Sequence, residues 1–371
     1  MEIYLDNAAT TKPVLEKALE YHMQQGWYNP SCAYGPAANV FIEMKRARET
    51  LENITGATGD CLFTSGGTEA NNTAIMSSFK PGAHYITSSV EHPSVYNAFK
   101  HIESLGASVD YIKPEGFLIR AQDVAEAVRG NTALVSIMNV NNETGALNDI
   151  AAIARAVKSA NEAALFHSDG VQALFKTAID LSADVDYYTV SAHKIHALKG
   201  TGALLTARDA ALRGLLHGGE QEYTLRPGTE NTLGIQAFGE ALERGKDGFP
   251  ESVKRVEALQ NRLIGALESM QDARVNLPAS KVPHIVSVSF PGVRAEVLVR
   301  VLGEKGIYVG TGAACSRGKV SRVLLESGFS KQEAEGTIRI SMSALNTESD
   351  IDICAEELEK AVKKLRSFGR R

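Results

Sequence analysis

YYTVSAHKIHALKG, residues 187–200, runs from an apolar, aromatic and β-branched stretch into a serine, a histidine and a lysine. Tyr187 to Val190 has the composition of a buried strand. Ser191-Ala192-His193-Lys194 ends it, and glycines follow at 200 and 202. Lysines are normally solvated, so Lys194 lies either on an ordinary surface loop or at the mouth of a buried strand where its amine has a task. The chain on either side decides between the two.

Working outward, short apolar runs alternate with amphipathic segments from about residue 60 to 206. CLFT (61–64), HYITSS (84–89), ASVDYI (107–112), TALVSIMNV (132–140), AALFHSD (163–169), VDYYTVS (185–191) and GALLT (202–206) read as strands. The segments between them, among them TEANNTAIMSSF, QDVAEAVR and DIAAIARAVKSA, read as helices. This alternation predicts an α/β fold with a mostly parallel sheet covered by helices, its strands apolar because both faces are buried. After about 245 the pattern changes to a long helical stretch, PESVKRVEALQNRLIGALESMQ, and then IVSVSF (285–290). A helix (294–304), a loop around 310–319, TIRISM (337–342) and a terminal helix from about 348 follow. A large domain over 13–245 and a smaller α+β domain over 246–371, with residues 1–12 packed against it, are expected.

Composition narrows the function. The 371 residues carry a formal net charge of −5, with no Lys/Arg block besides Arg370-Arg371, so the footprint of a nucleic-acid binder is missing. No apolar run of membrane-spanning length is present, and MEIYLDNAATTKP lacks the apolar core of a signal peptide. Cys32, Cys61, Cys315 and Cys354 are far apart, which argues against a disulfide framework or structural zinc; no metal is expected, and the reading is a cytoplasmic protein. Cys32, Cys61 and Cys354 are expected to be small buried hydrophobes.

In open parallel sheets, ligands bind outside the carboxyl ends of the strands, so the residues after each strand are the candidates. TSGGTEANN (64–72) places Gly66 and Gly67 before a helix opened by Thr68. This is either a glycine turn with a threonine cap or an anion site at a helix start; it is neither a P-loop nor GxGxxG. His92 precedes Pro93 at a helix start and reads as a polar loop residue or a site residue. Asn141, Asn142 and Glu143 follow another strand, where adjacent amides also cap helices. Asp169 ends AALFHSD, with Gln172 one turn on, and a buried acid needs a strong partner. A phosphate cradle, a lone acid and Lys194 in this order suit pyridoxal phosphate. Lys194 would form the Schiff base, Asp169 would hold the ring nitrogen protonated, and the helix start would take the phosphate.

YLDNAATT (4–11), FTSGGTEANN, SSVEHPSV, VNNETG, HSDGVQ, SAHK, RPGTEN and IRIS together resemble the signature series of the NifS-like cysteine desulfurases. These belong to the class V aminotransferase group of fold type I pyridoxal phosphate enzymes, and the resemblance runs from residue 4 to about 352. It implies phosphate binding by Gly67, Thr68, Ser191 and His193. It further implies a ring stacked on His92, Gln172 on the ring hydroxyl, and Asn142 holding ring and substrate. Thr229 would reach the phosphate of a neighbouring subunit, which implies a homodimer. Asn29 and Arg339 would hold the substrate carboxylate. A guanidinium fork suits that task, although an arginine in a strand also serves in a plain surface ion pair.

Cys315, in the glycine-rich YVGTGAACSRGK, would be the thiolate that takes the sulfur, with Arg317 or Lys319 able to favour the charged form. The implied reaction removes sulfur from L-cysteine, releases L-alanine and leaves a persulfide on Cys315. Lys194 or His92 would move the Cα proton, and the sulfur would pass to an acceptor such as an iron–sulfur scaffold. Selenocysteine lyase, another class V aminotransferase or lyase, and a non-catalytic scaffold that keeps the fold are the alternatives. The chain departs from the family's usual HKxxGPKG, reading His196-Ala197-Leu198-Lys199-Gly200 after the lysine. It has TGAAC where SGSAC is usual, and a shorter segment after Cys315.

Overall fold

The computed structural model describes residues 2–181, 184–207, 210–312 and 320–369. The chain opens with β1 (Ile3–Leu5), α1 (Lys17–Tyr21), a π-helical turn (His22–Gly26) and α2 (Gly35–Thr55). Next come β2 (Cys61–Thr64), α3 (Gly67–Ser77), β3 (His84–Ser88), α4 (Pro93–Ser104) and β4 (Ser108–Ile112). Then follow α5 (Ala121–Ala127), β5 (Thr132–Ser136), α6 (Ile150–Ala160), β6 (Leu165–Asp169), β7 (Tyr187–Ser191) and β8 (Gly202–Thr206). The remainder is α7 (Thr232–Glu268), β9 (Arg274–Asn276), β10 (Ile285–Ser289), α8 (Ala295–Gly303), β11 (Ile307–Thr311), α9 (Arg322–Glu326), α10 (Lys331–Glu335), β12 (Thr337–Ser341) and α11 (Glu348–Gly369).

Among the described residues two sheets form. The larger has the order β2-β8-β7-β6-β5-β3-β4. β8 is antiparallel to both neighbours and the other pairs are parallel. Successive side chains of a strand point to opposite faces, and the cores divide accordingly. Cys61, Phe63, Val135, Phe166 and Tyr188 pack with α2, α6 and the start of α7 on one face. Leu62, Tyr85, Leu134, Tyr187 and Leu204 pack with α3 and α4 on the other. Every residue of β3, β7 and β8 is buried, so the apolar runs of the sequence are strands covered on both sides.

The smaller sheet, β1-β11-β12-β10-β9, is antiparallel except where β1 runs parallel to β11. Its core is filled by α8, α11 and the second half of α7. α7 extends over 37 residues with Pro250 inside it; its first half buries Ile235 and Phe238 against the large sheet, and its second half buries Leu259 and Leu263 against the small one. The helix expected from Pro250 onward is therefore the second part of a longer one, which runs unbroken through residue 245. No described helix is long and apolar enough to cross a membrane.

Candidate active site

The large sheet delivers the candidate residues at the carboxyl ends of its central strands. Asp169 closes β6 and lies level with Thr189 of β7; Lys194 follows β7 on a 3-10 turn, Ala192–Lys194. The Lys194 Nζ donates to the carbonyls of Ala8 (2.5 Å) and Ala9 (2.9 Å), and Gln172 Nε2 donates to the Ala8 carbonyl too (2.8 Å). Thr11 Oγ1 donates to the His193 carbonyl, and His193 Nδ1 lies 3.1 Å from Thr10 Oγ1. Lys194 is thus not on a surface loop: the N-terminal segment is stitched over it. That role of Ala8 to Thr11 was not assigned from the sequence, although YLDNAATT was quoted for its resemblance.

Asp169 is buried, and both its carboxylate oxygens are engaged by neutral donors. Asn71 Nδ2 donates to Oδ2 (2.8 Å) and the Val171 N–H to Oδ1 (3.0 Å). Asn71 Nδ2 also donates to Ser94 Oγ (2.8 Å), and Ser94 Oγ lies 2.8 Å from His92 Nδ1. A chain of hydrogen bonds, Asp169–Asn71–Ser94–His92, therefore crosses from β6 through α3 to α4. Asn71 and Ser94 are site residues that sequence reasoning missed; their place inside the quoted motifs was the available signal. His92 caps α4, its Nδ1 accepting from the Ser94 N–H (3.2 Å), so a neutral ring carries its proton on Nε2. Burial lowers the His92 pKa; Lys194 and Arg322 add to this while Asp169 opposes it. Burial, reinforced by Lys194, takes His193 down to about 4. Both rings are neutral near pH 7.

The turn before α3 is built on two glycines. Gly66 caps the helix with φ +148, a conformation open to glycine. No side chain caps the helix, so the threonine cap that was one reading of Thr68 is not formed, because α3 already begins at Gly67. A Cβ on Gly67 would stand 2.7 Å from Val171 Cγ2, and one on Gly202 would stand 2.7 Å from the Gly66 backbone. Ser191 Oγ is buried and has no hydrogen-bond partner among the described residues. Glu69 fixes the turn, accepting from the Ser65 N–H (2.7 Å) and pairing with Arg226 (3.1 Å).

The substrate-side candidates are placed less uniformly. Arg339 sits in mid-β12, fully buried and not in a surface pair. Its Nη2 reaches Asp6 Oδ1 (2.7 Å), its Nη1 the Asn142 carbonyl (2.7 Å), and its Nε has no partner among the described residues. Asn142 is partly buried, whereas Asn29 is exposed, its Oδ1 taken by the Ser31 N–H (2.9 Å); no hydrogen bond joins Asn29 to Arg339. Thr229 is exposed on the loop before α7. Cys315, Arg317 and Lys319 lie outside the described residues. Where the chain resumes, Ser321 caps α9 and donates to Glu143 Oε2 (2.5 Å), and Arg322 donates to the Glu91 carbonyl (2.5 Å) over the Tyr96 ring. Burial pushes the Glu143 carboxyl up to about 7 and that of Glu91 up to about 8. Cys61 and Cys354 are buried as expected, but Cys32 is only half-buried, because it lies on the exposed turn between Asn29 and α2.

The model of the class V aminotransferases matches residues 3–354. A cysteine desulfurase of Clostridium botulinum (strain Hall), named IscS, is 36% identical over 385 residues, covering 99% of this chain and 96% of the relative. This chain belongs to the class V aminotransferase family, in its NifS-like cysteine desulfurase branch. The likeness extends to solved members of the family. A NifS-like protein superposes with a TM-score of 0.92 at 32% identity, covering 98% of this chain and all of the other. A structure described as SspA in complex with cysteine gives 0.79 at 32% identity over 93% and 99%.

Proposed function

We propose that the protein is a pyridoxal phosphate-dependent cysteine desulfurase that takes the sulfur of L-cysteine onto Cys315 and releases L-alanine. The observation that carries this reading is the convergence of Lys194, buried Asp169 and the Gly66–Gly67 cradle at the ends of β7, β6 and β2. The residues fit the cofactor. The leading N–H groups of α3 and the unpartnered Ser191 Oγ suit a phosphate, with Thr68 and His193 beside them. Asp169, whose hydrogen-bond donors among the described residues are all neutral, is a buried carboxylate suited to a protonated ring nitrogen. Gln172 and Asn142 would hold the ring, with His92 as the residue to stack on it.

Bound there, pyridoxal phosphate would supply an electron sink for the Cα of an amino acid. Lys194 is the amine that would hold the aldehyde and, once released, take the Cα proton; neutral His92 is the other group able to accept it. Asn71 keeps Asp169 oriented. Arg339 would meet the substrate carboxylate through its unpaired Nε edge, and Asn29 through its exposed amide. Exposed Met23, Trp27, Tyr34 and Phe41, together with exposed Thr229, support a homodimer. On this reading the sulfur acceptor would be an iron–sulfur scaffold or another acceptor protein, and the location the cytoplasm.

Purified holoenzyme given L-cysteine and a thiol should make alanine and sulfide in equal amounts. Cys315→Ala should keep the visible cofactor absorbance and lose both products; full cysteine turnover in that variant would refute the role of the thiol.

A further inference from the structure

Glu143 has no part in the cofactor and substrate roles assigned above, yet its carboxylate joins two regions of the site. It lies on the turn after β5, and Asn141 fixes that turn through local side-chain bonds. Asn141 Oδ1 accepts from the Glu143 N–H (2.9 Å), the Thr144 N–H (3.0 Å) and Thr144 Oγ1 (3.2 Å). Asn141 is buried, and its Nδ2 donates to the Val90 carbonyl (3.1 Å). One fixed piece of backbone therefore presents the Asn142 carbonyl to Arg339 Nη1 (2.7 Å) and the Glu143 carboxylate to Ser321 Oγ (2.5 Å).

Ser321 is buried and caps α9, its Oγ accepting from the Leu324 N–H (3.1 Å) while its proton goes to Glu143. In sequence α9 lies between β11 and β12 of the small sheet, but its first turn is fastened to elements of the large one. Arg322 donates to the Glu91 carbonyl (2.5 Å), with its guanidinium carbon 3.8 Å from the centroid of the Tyr96 ring on α4. Val323 is buried in the core of the large sheet. At the far end of α9 the Lys113–Glu326 pair (3.6 Å) leaves the lysine well exposed, and such surface pairs contribute little. A hydrogen bond to a carboxylate away from bulk water contributes more, so the Glu143–Ser321 bond is the stronger polar tie.

The geometry points to Glu143 as a positioning residue for sulfur transfer: it anchors the start of α9, from which the chain leads back to Cys315, to the same turn that holds Arg339. Cys315 precedes Ser321 by six residues, and six extended residues reach roughly 20 Å at most, so the anchor bounds the distance of the thiol from this turn. The role rests on Cys315 as the sulfur acceptor, as proposed above. Glu143 acts through Ser321 and not on the reacting atoms. Without the bond, Asn141 still holds the Asn142 carbonyl for Arg339, and Asp6 still pairs with Arg339, so the grip on the substrate carboxylate survives while α9 loosens. A misplacement of about 1 Å can cost on the order of a hundredfold in rate.

The test compares Glu143→Ala, Ser321→Ala and the double variant, which lose the bond, with Glu143→Gln, which keeps an oxygen able to accept from Ser321. Amide hydrogen exchange of holoenzyme at pH 8, read by mass spectrometry over residues 321–328, should be about tenfold faster or more in each alanine variant. It should be no faster in the double variant, because both changes remove one interaction, and close to wild type in Glu143→Gln. Glu326→Gln breaks the surface pair at the far end of α9 and should leave it unchanged. With L-cysteine, kcat should fall about tenfold or more in the alanine variants, with KM and the visible cofactor absorbance unchanged, and Glu143→Gln should restore most of the loss. Exchange is read without turnover, so failure of the anchor and failure of the proposed function are separately visible. Unchanged exchange in either folded alanine variant, additive effects in the double variant, a Glu143→Gln protein as impaired as Glu143→Ala, or a loss expressed as a higher KM would overturn the assignment.

Discussion

Asn71 offers the sharpest mutational test of the site, because one NH₂ group serves two acceptors. It donates to Asp169 Oδ2 and to Ser94 Oγ, both at 2.8 Å, the first bond buried and the second partly buried. Asn71→Ala leaves a buried carboxylate oxygen without its donor and cuts the link from Asp169 to His92. A hydrogen bond to a charged group contributes about 1.5–3 kcal/mol and a neutral one about 1 kcal/mol, so the loss should be about 3 kcal/mol. For a domain of this size that lowers the melting midpoint by roughly 6–12 °C. A less firmly oriented Asp169 should also release the cofactor more readily, on the order of tenfold, equivalent to about 1.4 kcal/mol.

Asn71→Asp is the companion, similar in shape but opposite in electrostatics. At neutral pH it places a second carboxylate against buried Asp169, and like charges in one site raise a carboxyl pKa strongly. This variant should therefore be the less stable of the two at pH 8 and recover at pH 5, where one shared proton restores a donor. Thermal melts at both pH values, with cofactor titrated by its visible absorbance, measure each effect. An Asn71→Ala protein that melts with the wild type and holds cofactor equally well would refute the orienting role.

Other consequences are equally concrete. Glu222 pairs with Arg48 (2.8 Å) and accepts from the Phe63 N–H (2.8 Å) on the open edge of β2, from a turn whose residues 222–224 all have positive φ. Removing one partner of a buried pair costs about 3–5 kcal/mol, so Glu222→Ala should unfold at markedly lower urea and Arg48→Met/Glu222→Leu should regain much of the loss; a double variant no better than the single would contradict this. Glu91, raised by burial to about 8, binds a proton in the folded state that it loses when unfolded. Its contribution is present at low pH and disappears as pH rises through about 8, so Glu91→Gln should gain stability over wild type at pH 9 relative to pH 6, read from paired melts. Gly202→Ala would press on the Gly66 backbone at 2.7 Å, whereas Gly67→Ala meets only the tip of Val171. Cofactor retained after dialysis should fall further in the Gly202 variant.

Much of the large sheet was legible because strands buried on both faces become unbroken apolar runs, and the helices between them carry regular three- and four-residue spacing. β5 shows the limit. TALVSIMNV reads as one strand to Val140, but the strand ends at Ser136. Beyond it, Ile137 and Asn139 still donate to the carbonyls of β6, while the Met138 N–H on the other side turns to the Glu91 carboxylate. α2 went unread although Ala37, Val40, Met44, Ala47 and Leu51 form its buried stripe; alanines make that stripe weakly hydrophobic. The early start of α7 was hidden by Pro250, which normally reads as a helix boundary.

In the site, residues adjacent to strand ends were found and those recruited from far away were not. Asp169, Lys194 and the glycine turn follow from their position after strands. Residues 1–12 were expected against the smaller domain, but the Asp6–Arg339 pair, spanning 333 residues, and the closure of Ala8 and Ala9 over Lys194 depend on the register of β1 beside β11, which local patterning does not encode. Asn71 and Ser94 look like ordinary polar helix residues until tertiary contact gives them partners.

The central claim is that Lys194 carries the cofactor. Holoenzyme reduced with borohydride, which converts a C=N link to a stable amine, should then be digested and mapped by mass spectrometry. A pyridoxyl adduct on the peptide bearing Lys194 is the predicted result. An adduct confined to Lys176 or another lysine, or a coloured protein with no adduct at all, would contradict it.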